Sequence, residues 1–391
     1  MSRPADPGQR RLRVVYLDHV ARLSGGEIAL LRLLPAVAPH VDAHVILGED
    51  GPLVAALREA GVTVEVLPLR EDLRDVRKDT VSAGRLDLAT GPALVSYVAT
   101  LRRRLRELSP DLVHTNSLKA SLYGGVAGRA AGVPVVWHVR DRIADDYLPA
   151  PAVRLVRAAA RVLPTAVVTN SAATLATLPR TRRASVLYNP VVPDAVPEQP
   201  RAPGPRPGPL TVGVVGRLAA WKGQDVFLRA FARAFPDGGA TARIVGSPLF
   251  GEQEYEAGLV ALAADLGIAD RVQWRGFRAD VGAELAEMDV LVHCSTTPEP
   301  FGQVVVEGMA AGLPVIAAAA GGPLEIIEPG TDGLLTAPGD VDALAAAMTL
   351  LAGDPALRVR LGNAARASSR RFSPSATATR LLAVYRQVLG P

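Results

Sequence analysis

The chain has 391 residues, a length that at about 150 residues per domain predicts two or three domains. Hydrophobic residues make up 49% and charged residues 21%, which excludes an intrinsically disordered chain. The net charge of +4 is compatible with an anionic ligand but does not require one, and the single cysteine, Cys294, excludes an intramolecular disulfide and a cysteine-based metal site.

No segment approaches the roughly 20 apolar residues of a membrane-spanning helix. The first apolar run, Val14–Leu17, is too short for a signal peptide. Lys and Arg are not interleaved with aromatic residues, as they are on many nucleic-acid-binding surfaces. We therefore expect a cytoplasmic protein without a nucleic-acid partner, and a peripheral contact with the inner face of the membrane stays open.

The first half of the chain alternates short aliphatic runs with longer helical patterns. The predicted strands are Arg13–His19, Ala43–Leu47, Val62–Leu67, Asp111–Thr115, Pro134–His138 and Thr165–Thr169. The predicted helices are Glu27–Val37, Pro52–Ala60, Pro92–Leu108 and Ser117–Ala131. Continuous apolar strands that alternate with helices indicate a parallel sheet covered on both faces.

A proline-rich segment divides the chain. Seven of the residues from Pro193 to Pro209 are proline, so this stretch is extended and cannot join a helix or a central strand. We interpret residues 193–209 as a linker between an N-terminal domain, residues 1–192, and a C-terminal domain, residues 210–373.

The second half repeats the pattern and ends in helices. Its predicted strands are Leu210–Val215, Ala242–Val245, Arg271–Trp274, Val290–His293 and Pro314–Ala317, and its last predicted helices are Val341–Leu351, Pro355–Ser369 and Pro374–Leu389. Together the halves predict an α/β fold of two doubly wound parallel-sheet domains that face a cleft. In such sheets, ligands bind beyond the carboxyl ends of the strands.

The segment Leu210–Asp225 carries the strongest signal for an anion. Its strand ends at Val215 and is followed by Gly216 and Arg217, and Lys222 stands where the next helix opens. Glycine lets the backbone approach a ligand closely, and a helix N-terminus offers unpaired N–H groups. We predict a diphosphate site here, with a merely solvated loop as the alternative. Neither a Walker A nor a G-x-G-x-x-G pattern occurs in the chain, which disfavours ATP hydrolysis and nicotinamide chemistry.

Two further segments carry chemistry. In Asp289–Ile327, Glu299 lies in a loop and Glu307 lies about one turn into a helix, and carboxylates at such places accept hydrogen bonds from sugar hydroxyls. The alternative is a charge that only complements the helix dipole. The first turn, Ser24–Glu27, has a Gly pair at the start of a helix, which suits an anion but equally fits a capping box.

At this point the chain resembles the family 4 retaining glycosyltransferases, which have the GT-B fold. The resemblance rests on GRLAAWKG from Gly216, the E-x7-E pair Glu299 and Glu307, the GG-x-x-E at Gly321–Glu325 and the N-terminal SGGE, and it extends from about residue 11 to 387. It implies two Rossmann-like domains, a nucleotide-sugar donor bound mainly by the second, and a final helix, residues 374–389, that crosses back to the first.

The resemblance also implies site residues. Arg217 and Lys222 correspond to the cations on the donor diphosphate, Glu307 to the carboxylate on the ribose, and Glu299 to the carboxylate on the donor sugar. The other donor-binding positions that it implies are Gly25, Gly26, Gly216, Gly276, Phe277, Arg278, Phe301, Gly302, Gln303 and Val304. Ser171 and Asn189 correspond to positions near the domain crossover.

One position departs from the family pattern. The family often has a histidine after a strand of the first domain that faces the donor sugar, and here Arg140 takes that place in one alignment while His138 lies two residues earlier. Residues two apart on a strand share a face, so either side chain could serve. We prefer His138 and group it with Glu299, Arg217 and Lys222 as catalytic. His114, Asn116 and Arg140 are the acceptor-side candidates, and a packed structural histidine is the alternative for His114 and for His138.

We expect no metal and no cofactor, since the nucleotide sugar is a substrate. The D-x-D of Asp340 and Asp342 precedes an Ala-rich helix and is predicted to be an N-cap. Four arginines in Pro92–Leu108 fit either a solvated face or docking to anionic lipid: Arg102, Arg103, Arg104 and Arg106. The charged segment Arg70–Arg85 is predicted to be a loop or frayed helix near the acceptor.

The predicted reaction is transfer of a sugar from a nucleoside diphosphate sugar to a hydroxyl acceptor with retention of configuration. A UDP-hexose or UDP-N-acetylhexosamine is the favoured donor, and a lipid-linked or polysaccharide intermediate or a small natural product such as an aminocyclitol is the acceptor. Two alternatives stay open at this point. One is another GT-B enzyme, a sugar-nucleotide epimerase or a phosphorylase, and the other is an inactive sugar-nucleotide-binding module.

Overall fold

The computed structural model describes residues 10–74, 90–181, 183–191, 208–248 and 251–390. Most of the linker predicted for 193–209, and residues 75–85 of the charged segment, lie outside these ranges. The chain divides into two compact units, one formed by Met1–Pro190 with Pro374–Pro391 and the other by Val191–Ser373. The helix that ends the chain therefore belongs to the first unit, although it follows the second unit in sequence.

The first unit is built on a seven-stranded parallel sheet. Its strands are β1 Leu12–Asp18, β2 Val41–Leu47, β3 Thr63–Val66, β4 Leu112–Thr115, β5 Val135–Val139, β6 Ala166–Thr169 and β7 Ala184–Val186, in the order β3-β2-β1-β4-β5-β6-β7. Its helices are α1 Gly25–Val37, α2 Pro52–Glu59, α3 Glu71–Arg74, α4 Thr90–Leu108, α5 Leu118–Ala131, α6 Ala150–Val162, α7 Ala172–Leu175 and, from the end of the chain, α15 Pro374–Leu389.

Both faces of this sheet are covered by helices. Successive side chains of a strand point to opposite faces, and in β1 both sets are buried: Val14 and Tyr16 pack on one side, Val15 and Leu17 on the other. The first side includes Leu381 and Tyr385 of α15, and the second side is completed by residues of α4, α5 and α6. Continuous burial on both faces is the reason that these strands read as unbroken apolar runs.

The second unit contains a six-stranded parallel sheet. Its strands are β8 Leu210–Val215, β9 Ala240–Val245, β10 Val272–Gly276, β11 Val290–His293, β12 Val315–Ala318 and β13 Leu334–Thr336, in the order β10-β9-β8-β11-β12-β13. Its helices are α8 Gln224–Ala234, α9 Gln253–Asp265, α10 Val281–Ala286, α11 Gln303–Ala310, α12 Pro323–Ile326, α13 Val341–Gly353 and α14 Pro355–Ser369, with a short 3₁₀ turn at Ala220–Lys222.

The predicted α/β fold of two parallel-sheet domains is confirmed, and the predicted strands and named helices begin and end within two residues of those observed. The edge strands β7 and β13 and the helix α6 were not predicted. Each of these strands has only three residues, too few for a periodic pattern, and α6 opens with Pro149 and Pro151, which in sequence suggest a loop. The carboxylate of Asp340 accepts from the Ala343 N–H at 2.9 Å, so the predicted N-cap is confirmed.

In each sheet, the order reverses between two central neighbours, β1 and β4 in the first and β8 and β11 in the second. At such a switch point the connections that follow the two strands run to opposite sides and leave a crevice. The residues after these four strands are therefore the first place to look for a ligand site in each unit.

Candidate active site

The second switch point brings glycine turns into close contact. Gly216 follows β8 and Gly246 follows β9, and a Cβ on Gly246 would lie 1.9 Å from the Gly216 carbonyl oxygen. Both glycines have positive φ, +150° and +141°. The two turns can touch only because Gly246 has no side chain, and their contact fixes the backbone from which Arg217 extends.

An ion pair joins the turn after β8 to the loop after β11. Lys222 Nζ donates to Glu299 Oε2 at 2.8 Å, and the Ser295 hydroxyl donates to the same oxygen at 3.0 Å. His293 Nε2 lies 3.4 Å from this oxygen as well. Burial alone would raise the pKa of Glu299, but Lys222 and His293 outweigh it and hold that pKa well below its usual range. Glu299 is therefore an ionised carboxylate at neutral pH.

The two cations predicted for the diphosphate lie over one indole ring. Lys222 Nζ is 4.3 Å from the ring centroid of Trp221, and the Arg217 guanidinium carbon is 5.7 Å from it. Cation–π contacts of this length hold a cation in place while leaving its other donors available. Arg217 Nε also lies 3.5 Å from a carboxylate oxygen of Glu252, so both cations have an acidic partner in this structure.

The loop that carries Glu299 is held by a second glycine pair. Glu299 forms a parallel bridge with Gly321, and the Gly322 N–H donates to the Glu299 carbonyl at 2.9 Å. A Cβ on Gly322 would lie 1.9 Å from the Phe301 carbonyl oxygen. The GG-x-x-E motif thus has a packing role, because only glycine permits this approach of the two backbones.

The helix α11 begins directly after this loop, with Gly302 as its N-cap. Gln303 and Val304 form its first turn and are partly buried, and Gln303 Nε2 donates to Glu307 Oε1 at 3.3 Å. Phe301 is buried against Phe372, with ring centroids 5.7 Å apart. The loop and the first two turns of α11 therefore bring Glu299, Glu307 and the N-terminal N–H groups of the helix into one neighbourhood.

The implied donor-binding residues Gly276, Phe277 and Arg278 lie at the end of β10 and directly after it. The Phe277 side chain is 74% exposed, which is unusual for a large aromatic residue. Arg278 Nε lies 3.3 Å from Glu284, a buried carboxylate that also contacts Arg243 and Arg275. Hydrogen bonding to Arg275 is the main cause that lowers the pKa of Glu284. Arg278 is thus tied to a structural ion cluster, whereas Phe277 presents an apolar ring to solvent.

The switch point of the first unit holds a separate polar cluster. The Asn116 side-chain N–H group donates to Asp18 Oδ2 at 2.7 Å, and its oxygen accepts from Arg140 Nε at 3.1 Å and Nη2 at 2.9 Å. Arg140 also donates to Asn189, and its Cδ would lie 3.1 Å from a Cβ on Gly26. Arg140 therefore lies against the Gly25–Gly26 turn.

The first turn is not a capping box of the usual kind. Ser24 is the N-cap residue of α1, but its hydroxyl donates to the Glu27 carboxylate and accepts no backbone N–H of the helix. Burial and the nearby charge of Asp18 raise the pKa of Glu27 to about 7. This turn, for which an anion site and a capping box were both open, thus carries a carboxyl group that is partly protonated at neutral pH.

The structure buries both candidate histidines, which is the arrangement that the packed-histidine alternative describes. His114 is fully buried and His138 is 1% exposed, and His114 Nε2 lies 3.1 Å from His138 Nδ1. Their common strand face left both residues as candidates, with His138 preferred; in the structure Arg140 follows the end of β5 and reaches the Gly26 turn, while His138 packs inside. Of the two residues, Arg140 is the one that lies at the edge of the sheet.

The predicted residues fall into both units. Gly25, Gly26 and the acceptor-side candidates belong to the first, as do Ser171, the N-cap of α7, and Asn189; all other predicted donor-binding residues belong to the second. Sequence reasoning missed His293, Ser295, Trp221 and Gly246 in the second unit and Asp18 in the first. The signal for these was available in part, since each lies within two residues after a strand, at its last residue, or, for Trp221, beside Lys222.

Within the described residues, no group of three or more His, Cys, Asp or Glu side chains is arranged to hold a metal ion. A search of the same residues finds no helix long and apolar enough to cross a membrane.

Two family models match the chain, one over each half. Residues 24–196 match the family model described as a glycosyl transferase 4-like domain, and residues 196–368 match the model of glycosyl transferases group 1. A D-inositol 3-phosphate glycosyltransferase of Kribbella flavida is 30% identical over 302 residues, which cover 71% of each chain. The chain belongs to the family 4 glycosyltransferases. The predicted resemblance and its GT-B fold are thereby confirmed.

Other similar proteins differ in how much of their length the chain covers. The chain spans only 19% of an exopolysaccharide phosphotransferase of Streptomyces coelicolor, to which it is 36% identical over 184 residues. A crystal structure of HepE from Anabaena in complex with UDP and glucose superposes with a TM-score of 0.79 at 28% identity and covers 95% of this chain and 99% of that chain. A sucrose-phosphate synthase of Thermosynechococcus elongatus, at 20% identity and a TM-score of 0.74, shows the same fold.

Proposed function

We propose that this glycosyltransferase moves a sugar from a nucleoside diphosphate sugar, with UDP as the favoured nucleotide, to a hydroxyl acceptor. The observation that carries the proposal is the group formed by Lys222, Arg217 and Glu299 at the switch point of the second sheet, next to the start of α11. The complexes of HepE from Anabaena with UDP and with UDP-glucose support UDP as the nucleotide.

Lys222 and Arg217 are proposed to bind the diphosphate and to stabilise the charge that develops on it as it leaves. An ammonium group has three donors, so Lys222 can keep its bond to Glu299 and still donate to a phosphoryl oxygen. Charge-assisted hydrogen bonds of this kind contribute about 1.5–3 kcal/mol each. Because these cations are present in the protein, we propose that transfer requires no metal.

Glu299 is proposed to orient the donor sugar, because its ionised carboxylate can accept hydrogen bonds from the hydroxyl groups of the sugar. Its carboxylate is held by Lys222, Ser295 and His293, and these contacts weaken it as a nucleophile. We therefore favour departure of the diphosphate and attack by the acceptor on the same face of the sugar, which retains the anomeric configuration. Trapping of a covalent glycosyl–Glu299 species would contradict this mechanism.

Glu307 and Phe277 are proposed to bind the nucleoside. Glu307 lies one turn into α11 and offers carboxylate oxygens to the ribose hydroxyls. Phe277 offers an exposed ring of the kind on which nucleobases stack. These contacts distinguish a nucleotide-sugar site from a site for phosphate alone.

The acceptor is proposed to bind the first unit near Asn116 and Arg140, where amide, carboxylate and guanidinium groups form a polar cluster. Polyhydroxylated acceptors suit such groups, because each hydroxyl both donates and accepts. Lipid-linked or polysaccharide intermediates and small cyclitols are the acceptor classes to screen. The fully buried His114 is assigned no direct contact with the acceptor.

A contact of α4 with a membrane has less support than the alternative, a solvated helix face. Arg104 pairs with Glu65 at 2.9 Å and with Glu107 at 3.0 Å, and Arg102 and Arg106 both donate to the Ala130 carbonyl. These contacts favour the solvated-face alternative for the four arginines. Co-sedimentation with vesicles that contain anionic lipid would test for a peripheral contact.

The deciding experiment is calorimetric titration with UDP, GDP and UDP-glucose in the wild type and in the Arg217→Ala and Glu307→Gln variants. Glu328→Gln, which removes an exposed carboxylate of the same unit, is the control. We expect UDP binding that weakens about tenfold or more in both site variants and is unchanged in the control. If neither UDP nor GDP bound to the wild type, the proposal would be overturned.

Product analysis then separates the related activities. Incubation of UDP-glucose with an acceptor screen, followed by NMR of the anomeric proton, should yield an α-configured product, and EDTA should leave the initial rate unchanged. Conversion of the donor to another UDP-sugar without an acceptor would indicate an epimerase, and dependence on inorganic phosphate would indicate a phosphorylase. Binding without turnover across the screen would indicate an inactive binding module.

A further inference from the structure

The side chains of three arginines converge on one buried carboxylate, that of Glu284 in α10, which is 7% exposed. Arg275 donates to it twice, from Nη2 to Oε1 at 3.0 Å and from Nε to Oε2 at 3.2 Å. Arg243 Nη1 donates to Oε2 at 2.9 Å, and Arg278 Nε lies 3.3 Å from Oε1. A carboxylate has about four acceptor positions, so each oxygen can serve two of these four N–H groups.

This carboxylate holds the segment Gly276–Arg278, which we call the base segment because it contains Phe277, the residue proposed to stack on the nucleobase. Arg275 lies two residues before Phe277 and Arg278 lies directly after it, so the chain is tied to Glu284 on either side of the ring. The ring itself is 74% exposed, so its own packing contributes little to its position.

Arg243 connects the same carboxylate to the interior of the sheet. It lies in β9, which pairs with both β8 and β10, and its side chain is only 12% exposed. The edge strand of this sheet is β10, and the base segment continues beyond it. Glu284 therefore links a chain segment at the edge of the sheet to a buried strand.

The backbone of the base segment has a further attachment. The pairing of β10 with β9 shifts by one residue between Trp274 and Gly276, so Arg275 is the extra residue of a β-bulge, a feature that redirects a side chain. The Gly276 carbonyl accepts from the Gly246 N–H at 2.8 Å. Since Gly246 also touches the turn at Gly216, the base segment is connected to the turn that is proposed to bind the diphosphate.

Holding an exposed ring in place matters for affinity. A side chain and loop that are ordered only when the ligand binds lose conformational freedom at that moment, and this loss weakens binding. Charge-assisted hydrogen bonds from two arginines to one carboxylate restrict the base segment before the nucleotide arrives.

We propose that Glu284 is a positioning residue for the nucleobase: by holding Arg275 and Arg278, it fixes the place of the Phe277 ring. The proposal rests on the proposed function only in assigning the nucleobase to Phe277. Glu284 itself touches no part of the nucleotide, and its effect on UDP affinity depends on the presence of the ring.

Arg275→Gln is the deciding variant, because it removes the tether before the ring and leaves Glu284 with Arg243 and Arg278 as charged partners. Glu284→Gln would instead leave the buried Arg243 without its carboxylate and is expected to lower stability as well. The matched control is Arg233→Gln, which removes the same charge and an exposed ion pair with Asp342 in the same unit.

The first test measures the tether without any ligand. Phe277 is an exposed aromatic residue and hence a site for chymotrypsin, which cleaves only when the backbone around it opens. We expect cleavage after Phe277 under native conditions to be about tenfold faster in Arg275→Gln than in the wild type, the equivalent of one charge-assisted hydrogen bond. Arg233→Gln should be cleaved there at the wild-type rate.

The second test is a double-mutant cycle on UDP affinity, measured by calorimetric titration. Arg275→Gln should weaken UDP binding about threefold to tenfold, and Arg233→Gln should leave it unchanged. In a protein that already carries Phe277→Ala, adding Arg275→Gln should cost less than about twofold. A change of charge that acted on the nucleotide over a distance would instead give additive losses, because it would not depend on the ring.

The outcomes separate this proposal from the proposed function. An unchanged rate of cleavage after Phe277 in Arg275→Gln would show that the tether does not hold the base segment. Faster cleavage with unaltered UDP affinity, or additive losses in the double variant, would overturn the positioning role. Absence of UDP binding in the wild type would refute the proposed function and leave the cleavage result standing.

Discussion

Lys222 Nζ and Glu299 Oε2 lie 2.8 Å apart, and this pair joins the turn after β8 to the loop after β11 in the second unit. The two side chains are 18% and 13% exposed, so most of their hydration is lost. A pair of this kind is costly to break from one side, because the remaining charge stays buried without its partner. The pair is thus a structural element of the site as well as a source of its charge.

Lys222→Met is expected to lower the free energy of unfolding at pH 7 by about 3–5 kcal/mol, since it leaves the Glu299 carboxylate uncompensated. In the wild type the folded-state pKa of Glu299 is depressed, so its contribution to stability is present above the unfolded-state pKa and is lost as the pH falls. That loss begins only below the unfolded-state pKa of about 4.3, but without Lys222 burial raises the folded-state pKa of Glu299, so the variant takes up a proton as the pH falls from 7 and its deficit should shrink between pH 7 and about pH 4.3. Urea denaturation over this range measures it.

The double variant Lys222→Met/Glu299→Gln serves as the control. It removes both charges and should recover most of the lost stability at pH 7 while UDP binding stays at least about tenfold weaker than in the wild type. A double variant as unstable as the single one would show that the ion pair is not the cause.

The contribution of Glu27, in the first unit, to the free energy of unfolding is expected to change with pH in the opposite direction to that of Glu299. Its folded-state pKa is raised to about 7, so the folded state holds a proton that the unfolded state releases above about pH 4.3. This contribution to stability is complete below that pH and is lost as the pH rises to about 7, by roughly 3 kcal/mol in all. Glu27→Gln should therefore be more stable relative to the wild type at pH 8 than at pH 5.

Chemical denaturation at pH 5, 6, 7 and 8 provides the comparison, with Glu59→Gln at an exposed position of α2 as the control. A difference between Glu27→Gln and the wild type that is constant over these four values would contradict the shifted titration of Glu27.

Phe277→Ala tests the proposed contact with the nucleobase. The ring is 74% exposed, so its loss should leave the melting temperature almost unchanged. Stacking of a base on an aromatic side chain is worth about 1–3 kcal/mol, and we expect UDP affinity to fall roughly tenfold in calorimetric titration. Leu350→Ala removes another exposed apolar side chain of the second unit and should not alter UDP binding. Equal affinities of Phe277→Ala and the wild type would exclude the stacking contact.

Gly246→Ala tests the contact between the two glycine turns. The new Cβ would lie 1.9 Å from the Gly216 carbonyl oxygen, so the turn that carries Arg217 must move. We expect a loss of about 3 kcal/mol or more in unfolding free energy, together with weaker UDP binding. Gly267→Ala is the matched control, because Gly267 also has positive φ but nothing lies within 4 Å of its Cβ position. That variant should lose only about 1–2 kcal/mol, the cost of the left-handed backbone.

The fold was predictable to a large extent because its strands are buried on both faces. Val14–Leu17 in β1 and Val290–Val292 in β11 read as unbroken apolar runs. The three-residue strands β7 and β13 were not predictable, since their pairing with β6 and β12 comes from the sheet and not from their own pattern. Burial of a whole segment leaves a mark in its sequence, whereas the addition of a short edge strand does not.

What the sequence by itself determined is the set of residue types in the second unit: cations after β8, carboxylates eight residues apart, and glycines where backbones meet. What only the tertiary structure decided is which of these groups touch. The pairing of Lys222 with Glu299 and the contact of Tyr385 with His114 join residues far apart in sequence. The tertiary structure also decided that His293 lies against Glu299 and that His138 is buried. The physical reason is that hydrogen bonds and ion pairs act over about 3 Å in space, and only the packing of strands and helices brings such residues within that distance.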